Sequence, residues 1–208
     1  MLTKNRAART DLQADYLSAG DPPSKRMILK EALHLFAQRG IDAVTVRDIA
    51  DQAGYTNAAM FKFFPTKDAL ALYLFEQCYL AMFESLSSAV RPDMPFADQL
   101  HGIVNVSVAS MDRDLDAFLF VQDQLRHMWR RVSPSVRKCS ILAVIRATLE
   151  QGVREGRVSP EANTSLLIAM ITGTMQQFAR MLSFGEFRRP ASDYAGELEN
   201  IVLRSVSQ

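Results

Sequence analysis

The chain has 208 residues, 48% of them apolar, with 24 Lys+Arg against 23 Asp+Glu and a formal net charge of +1. That length fits one or two domains and that apolar share supplies a core, which excludes a disordered, collagenous or fibrous protein. Charge is balanced locally as well, net +2 over residues 1–70 and net −1 over 71–208, so contact with nucleic acid has to come from where the charges sit.

Residues 1–23 are polar, with Lys4, Arg6 and Arg9 ahead of Pro22-Pro23. They read as a flexible arm: a disordered tail, a basic segment reaching DNA, or a short extra helix. After Pro23 the period becomes helical, with Ile28, Ala32, Leu35 and Phe36 on one face and Gly40 as the stop. Thr-Val-Arg-Asp at Thr45 opens a second, short helix with a capping-box start, its inner stripe being Val46, Ile49, Ala50 and Ala53. Gly54 interrupts it. A third short helix spans Thr56 to Phe64 with Met60 and Phe64 inward, and Thr66 caps a long helix reaching about Ala89. Further helices are predicted over about 96–111, 116–132, 133–156, 159–184 and 193–206, with Ser133-Pro134 and Ser159-Pro160 as start signals. No segment alternates β-branched with polar residues. The expectation is an all-α chain of about nine helices without repeats.

Cys78 and Cys139 have no CxxC spacing and lie in helical patterns, so they read as buried free thiols in a reducing compartment, with no metal site. The N-terminus has no apolar signal core and no apolar run approaches the ~18 residues of a membrane span. A cytoplasmic protein without a membrane partner or cofactor is expected.

The informative stretch is Thr45 to Lys67. Two short helices joined at Gly54 suit a helix-turn-helix, whose second helix enters a major groove ~12 Å wide. With Met60 and Phe64 inward, Thr56, Asn57, Ala58, Ala59, Phe61, Lys62 and Phe63 fall on or near the outer surface. Asn57 can pair with adenine, and Ala58 or Ala59 can meet a thymine methyl. Lys62 supplies charge, and Arg47 can reach a guanine or a phosphate. Thr45 and Lys67, near helix starts, are natural phosphate contacts. Three amphipathic helices of an ordinary bundle would show the same periodicity.

The segment VTVRDIADQAGYTNAAMFKFFPTKDALALYLFE, with ILKEALHLFAQRGIDAVTV before it, resembles the DNA-binding signature of the TetR family of bacterial transcriptional regulators. The resemblance covers about Ser24–Phe75, through Ile49-Ala50, Ala53-Gly54, Phe61-x-Phe63-Phe64 and Pro65-Thr66-Lys67-Asp68. It implies a DNA-binding domain over 24–70 and an effector-binding and dimerisation domain over 71–208. Carried over, the family's base contacts fall on Arg47, Asn57, Ala58, Ala59, Phe61, Lys62 and Phe63, and its phosphate contacts on Thr45, Thr56 and Lys67. Two positions depart from the family pattern. Phe61 stands where Tyr is common, and Tyr55 stands where a small aliphatic residue is usual; Tyr55 either plugs the core or offers its hydroxyl to the DNA backbone.

One helix-turn-helix reads few base pairs, so a two-fold homodimer on a palindromic double-stranded operator is expected. The resemblance puts the dimer surface on the last two helices. There Ile168, Ile171, Thr172, Met175 and Ala179 form one stripe, which Leu198, Ile201 and Val202 can complete; intramolecular core is the other reading. Residues 79–150 offer Met82, Phe83, His101, Met111, Phe118, Gln122 and Trp129 as candidate lining for a small apolar or aromatic effector, although such a set also looks like ordinary core. The resemblance further implies a repressor that leaves DNA when the effector binds, with the long helix from Thr66 as the lever. No catalytic motif is visible, and His34, His101 and His127 are scattered. The competing reading is a helical ligand-binding or interaction module that does not bind DNA.

Overall fold

The protein's structure, a computed structural model, describes residues 16–206; the segment holding Lys4, Arg6 and Arg9 lies outside them. Ten α-helices and one 3₁₀ turn, with no strand among the described residues, make the all-α fold. The first four are α1 (Pro23–Arg39), α2 (Val46–Ala53), α3 (Asn57–Phe61) and α4 (Lys67–Ala89). Next come α5 (Phe96–Arg113), α6 (Leu115–Met128) and α7 (Pro134–Lys138). The last three are α8 (Ile141–Arg154), α9 (Thr164–Ser183) and α10 (Ala195–Val206), with the 3₁₀ turn Ala191–Tyr194 leading into α10.

Short polar side chains set most helix starts, because the first backbone N–H groups of a helix lack internal partners. Thr66 accepts from Ala69 N (3.0 Å), Asp114 from Ala117 N (2.9 Å), and Asn163 from Ser165 N and Leu166 N (3.1 and 3.3 Å). The single helix predicted over 133–156 is divided into α7 and α8. Cys139 and Ser140 leave the helical conformation, and the Ser140 hydroxyl caps a new start at Ala143 N (3.2 Å). The helix expected from Ser159 begins at Thr164, because the Asn163 side chain caps it there.

One apolar cluster joins α1–α4 to Phe120, Val121 and Met128 of α6, and to Val136 of α7. A second joins α5, α8, α9 and α10, with Phe118 and Leu119 of α6 included. The helix α6 therefore belongs to both cores. Its Phe120 ring stacks on Phe36 of α1 (6.1 Å), while Asp116 meets His34 (2.7 Å) and accepts from Gln38 (3.2 Å). At the far end, Arg131 pairs with Asp68 in the first turn of α4. In the second core a Cβ at Gly152 would lie 2.6 Å from Val158 and 2.8 Å from Phe96, so glycine there lets α8 approach α5.

Candidate nucleic-acid interface and effector cavity

The α2–turn–α3 unit is fixed by three local devices. At Thr45 a complete capping box forms: its hydroxyl accepts from Asp48 N (3.1 Å), and the Asp48 carboxylate accepts from Thr45 N (2.8 Å). Those hydrogen bonds from the Thr45 backbone and hydroxyl hold the Asp48 carboxyl below its ordinary pKa. Gly54 then turns the chain at φ +76°, a left-handed conformation cheap only for glycine. Finally the Thr56 hydroxyl accepts from Ala59 N (3.3 Å) to start α3. Beneath this frame Ile49, Met60 and Phe64 are buried.

The opposite side presents a slender surface. Thr56, Asn57, Ala58, Phe61 and Lys62 are exposed and Ala59 is partly so. Phe61 is 50% exposed, a large apolar ring held out into solvent. Phe63 turns partly back onto the core, with the Lys62 ammonium 5.9 Å from its ring centre. Arg47 stands well out from α2, paired loosely with Asp51 (3.5 Å). Tyr55 is 38% exposed beside this surface, so it does not plug the core.

The Lys67 side chain, expected as a phosphate contact, is engaged within the chain. Its ammonium donates to the carbonyls of Ile41 (2.6 Å) and Val44 (2.6 Å), with Asp42 O at 3.5 Å. An ammonium has three donors, and here they tie down the α1–α2 connection. The Thr45 hydroxyl is likewise engaged, donating to Asp48 at 2.8 Å.

Between α4, α5, α6, α8 and α9 lies a cavity of about 670 Å³, within the range of small-molecule sites. Of the candidates, Met82, Phe118, Gln122 and Trp129 line it. Three do not. His101 is exposed and pairs with Glu199 (2.8 Å), Met111 is fully buried in the second core, and Phe83 is half-buried outside the cavity. Sequence reasoning missed Tyr79, Leu125, Ile171, Met175 and Gln176, and also Arg126 and Arg130 on the rim. The Tyr79 ring packs on Trp129 (5.1 Å) while its hydroxyl accepts from Ile141 N (3.3 Å). Burial outweighs that bond and raises the phenol's pKa.

The expected dimer stripe is turned inward. Ile168, Ile171, Met175 and Ala179 of α9, with Leu198 and Val202 of α10, are buried within the chain, and Ile171, Thr172 and Met175 line the cavity. The outer faces carry Leu166 (68% exposed), Ala169, Gly173, Gln177 and Phe184 (74% exposed), with Ile201 of α10 as the one member of the predicted set that faces solvent.

Residues 28–74, which span this helix-turn-helix, match the family model "Bacterial regulatory proteins, tetR family". Over these residues the chain carries a TetR-family DNA-binding domain. It is 24% identical over 160 residues to the HTH-type transcriptional repressor KstR2 of Rhodococcus jostii, covering 76% of this chain and 78% of that one. Its fold superposes on the ketosteroid transcriptional regulator KstR2 of Mycobacterium tuberculosis with a TM-score of 0.76, at 23% identity over 91% of this chain and 98% of that one. A second neighbour is FadR from Bacillus subtilis in complex with stearoyl-CoA, with a TM-score of 0.68, 15% identity, and 88% and 99% coverage. On this match the chain is a DNA-binding transcriptional regulator. Family members bind DNA operators, typically as dimers, with small-molecule effectors. No described helix is long and apolar enough to cross a membrane.

Proposed function

We propose that this regulator is a cytoplasmic homodimeric repressor that holds a palindromic operator and releases it when an effector enters the α4–α9 cavity. The observation that carries the reading is the pairing of two features in one chain: an exposed α3 propped on Met60 and Phe64, and a lined cavity of about 670 Å³ one helix away. In this reading Arg47, Asn57, Ala58, Ala59, Phe61, Lys62 and Phe63 face base edges. Thr56 and the first-turn N–H groups of α2 and α4 face phosphates. Residues 24–70 act as the DNA-binding unit and 71–208 as the effector and dimer unit, with α4 crossing between them.

Two copies would meet through the outer faces of α9 and α10, at Leu166, Ala169, Gly173, Phe184 and Ile201. The Gly173 and Ala169 positions allow close helix approach there.

The cavity lining calls for a ligand with a large apolar body, and the stearoyl-CoA held by the FadR neighbour is of that kind. Arg126 and Arg130, exposed on the rim one helical turn apart and without an ion-pair partner among the described residues, suit an anionic group at the ligand's outer end. Linkage then supplies the switch: a ligand preferring the conformer with misplaced reading heads weakens operator binding by that preference. Selection of bound sequences from a random duplex pool, followed by a screen for compounds that release the selected duplex, tests the reading. A palindromic product released by an amphipathic anion is expected, and recovery of no preferred duplex would contradict it.

A further inference from the structure

A second, much smaller void of about 40 Å³ lies beside the large cavity, lined by Tyr16, Cys78, Ala81, Ser85, Asp114 and Ala117 among others. Met82, Ser110 and Phe118 line both spaces and so form the partition between them. Methionine is the most easily displaced of the three, an unbranched and flexible side chain, and here it is half-buried. The void exceeds the ~10–15 Å³ that one water needs on this measure and is a small fraction of the large cavity, so it suits the narrow end of a chain better than a fused-ring body.

What closes the void on its far side matters for regulation. Tyr16 is buried and its hydroxyl is hydrogen-bonded to the Asp114 carboxylate; burial, then the nearby Asp114, Cys78 and Asp116, pushes the phenol far above its ordinary pKa and keeps it a donor. Asp114 caps α6 by accepting from Ala117 N (2.9 Å). Two residues on, Asp116 holds His34 and Gln38 of α1. Anything that moves Tyr16 therefore acts on the first turn of α6, and through it on the helix that carries the DNA-reading unit.

We infer that the small void is a subsite for the terminal methylenes of an unbranched aliphatic ligand seated in the large cavity. The chain end passes Met82 and Phe118 and displaces Tyr16 from Asp114, and this step turns a bound ligand into an inducer. The inference rests on the large cavity being the effector site. It separates two ligand shapes: a fused-ring compound fills the large cavity but stops at the partition.

Trp129 is the chain's one tryptophan and lines the large cavity, so its fluorescence reports binding independently of DNA release. The probes are saturated free fatty acids from octanoic to octadecanoic, with cholic acid as the fused-ring compound, against the full-length protein on its selected duplex. Each methylene buried in the cavity should tighten binding about fourfold, whereas release should set in abruptly beyond one chain length. Cholic acid should change the fluorescence and release at least tenfold less duplex at saturation. Release that follows occupancy smoothly for every probe overturns the subsite and leaves the cavity reading standing. No fluorescence change with any probe overturns both.

Ala117→Leu fills the void from α6. It should leave octanoic acid binding within twofold and reduce release by octadecanoic acid at least tenfold, and unchanged release contradicts the proposal. Tyr16→Phe keeps the ring and deletes the hydroxyl, so it applies even if the leucine variant fails to fold. It should lower operator affinity without ligand several-fold and flatten the chain-length threshold; no change in either contradicts the proposal.

Discussion

His34 Nδ1 lies 2.7 Å from Asp116 Oδ2, joining the middle of α1 to the first turn of α6. The same carboxylate accepts from Gln38 one turn further along α1 (3.2 Å), and two residues later α6 presents Phe118 to the cavity. A ligand that shifts α6 has here a direct purchase on the DNA-reading unit, beside the path along α4. Coupling between sites in such proteins is typically about 1–3 kcal/mol. Asp116→Ala should leave ligand binding, read by Trp129 fluorescence, within about twofold and cut effector-triggered release several-fold. Equal release by variant and parent would place the coupling in α4 alone.

Lys67→Ala should act on stability before it acts on DNA. The ammonium satisfies the carbonyls of Ile41 and Val44 at 2.6 Å each, and removing a charged donor from partly buried acceptors costs about 1.5–3 kcal/mol. Thermal unfolding should show a lowered Tm, with all duplex sequences weakened alike as the α1–α2 connection loosens. A variant with parental Tm and weakened binding would restore Lys67 to the phosphates.

These residues also show how far the sequence could be read. The Thr45 capping box, the Gly54 turn and the inward Met60 and Phe64 were legible, because each depends on a few neighbouring residues and the chemistry of a helix end. The facing of α9 was not. Its residues are apolar almost all round, so periodicity identifies a helix without choosing which stripe meets the body, and Ile168, Ile171 and Met175 lie inside. His101 and Met111 share a predicted segment with true cavity residues, yet α5 turns one into solvent and the other into the core. The Lys67 contacts span 23 to 26 residues, a separation at which local pattern carries no information.

Ile201→Glu should break the dimer without unfolding the chain. Ile201 is 54% exposed on α10, so a charge there is solvated in a monomer but buried unpaired in the proposed interface, which is strongly unfavourable. Sedimentation should show a monomer with near-parental Tm and strongly reduced operator affinity. An unchanged dimer would move the interface away from this face.

Asp112 links pH to stability. Burial works against its charged form, but bonds from Ser192 and from Ala191 N, with Arg189 nearby, outweigh it and lower the carboxyl pKa from 3.8. The Ala191 and Ser192 amides donate at 2.5 and 2.9 Å. A depressed folded pKa means that the stabilisation is complete above the unfolded value and lost as pH falls through the folded one. Asp112→Asn should therefore lower Tm at neutral pH and flatten the fall in Tm below pH 3.8. Parallel Tm curves for variant and parent would remove Asp112 from the acid response.

Asn57→Ala should relax preference at one base position by about 1–3 kcal/mol and leave other positions unchanged. Repeating the duplex selection with the variant reads this directly. An unaltered consensus would mean that Asn57 faces phosphate or solvent.

The measurement that bears most directly on the α3 surface as a DNA-reading head is a salt titration of affinity for the selected duplex. If α3 enters the groove with phosphates held on either side, log affinity falls linearly with log salt at a slope of about −0.9 per phosphate contacted, and two heads together lose about 10³–10⁵ in affinity between roughly 50 and 200 mM salt. An affinity that stays level across that range would contradict the account.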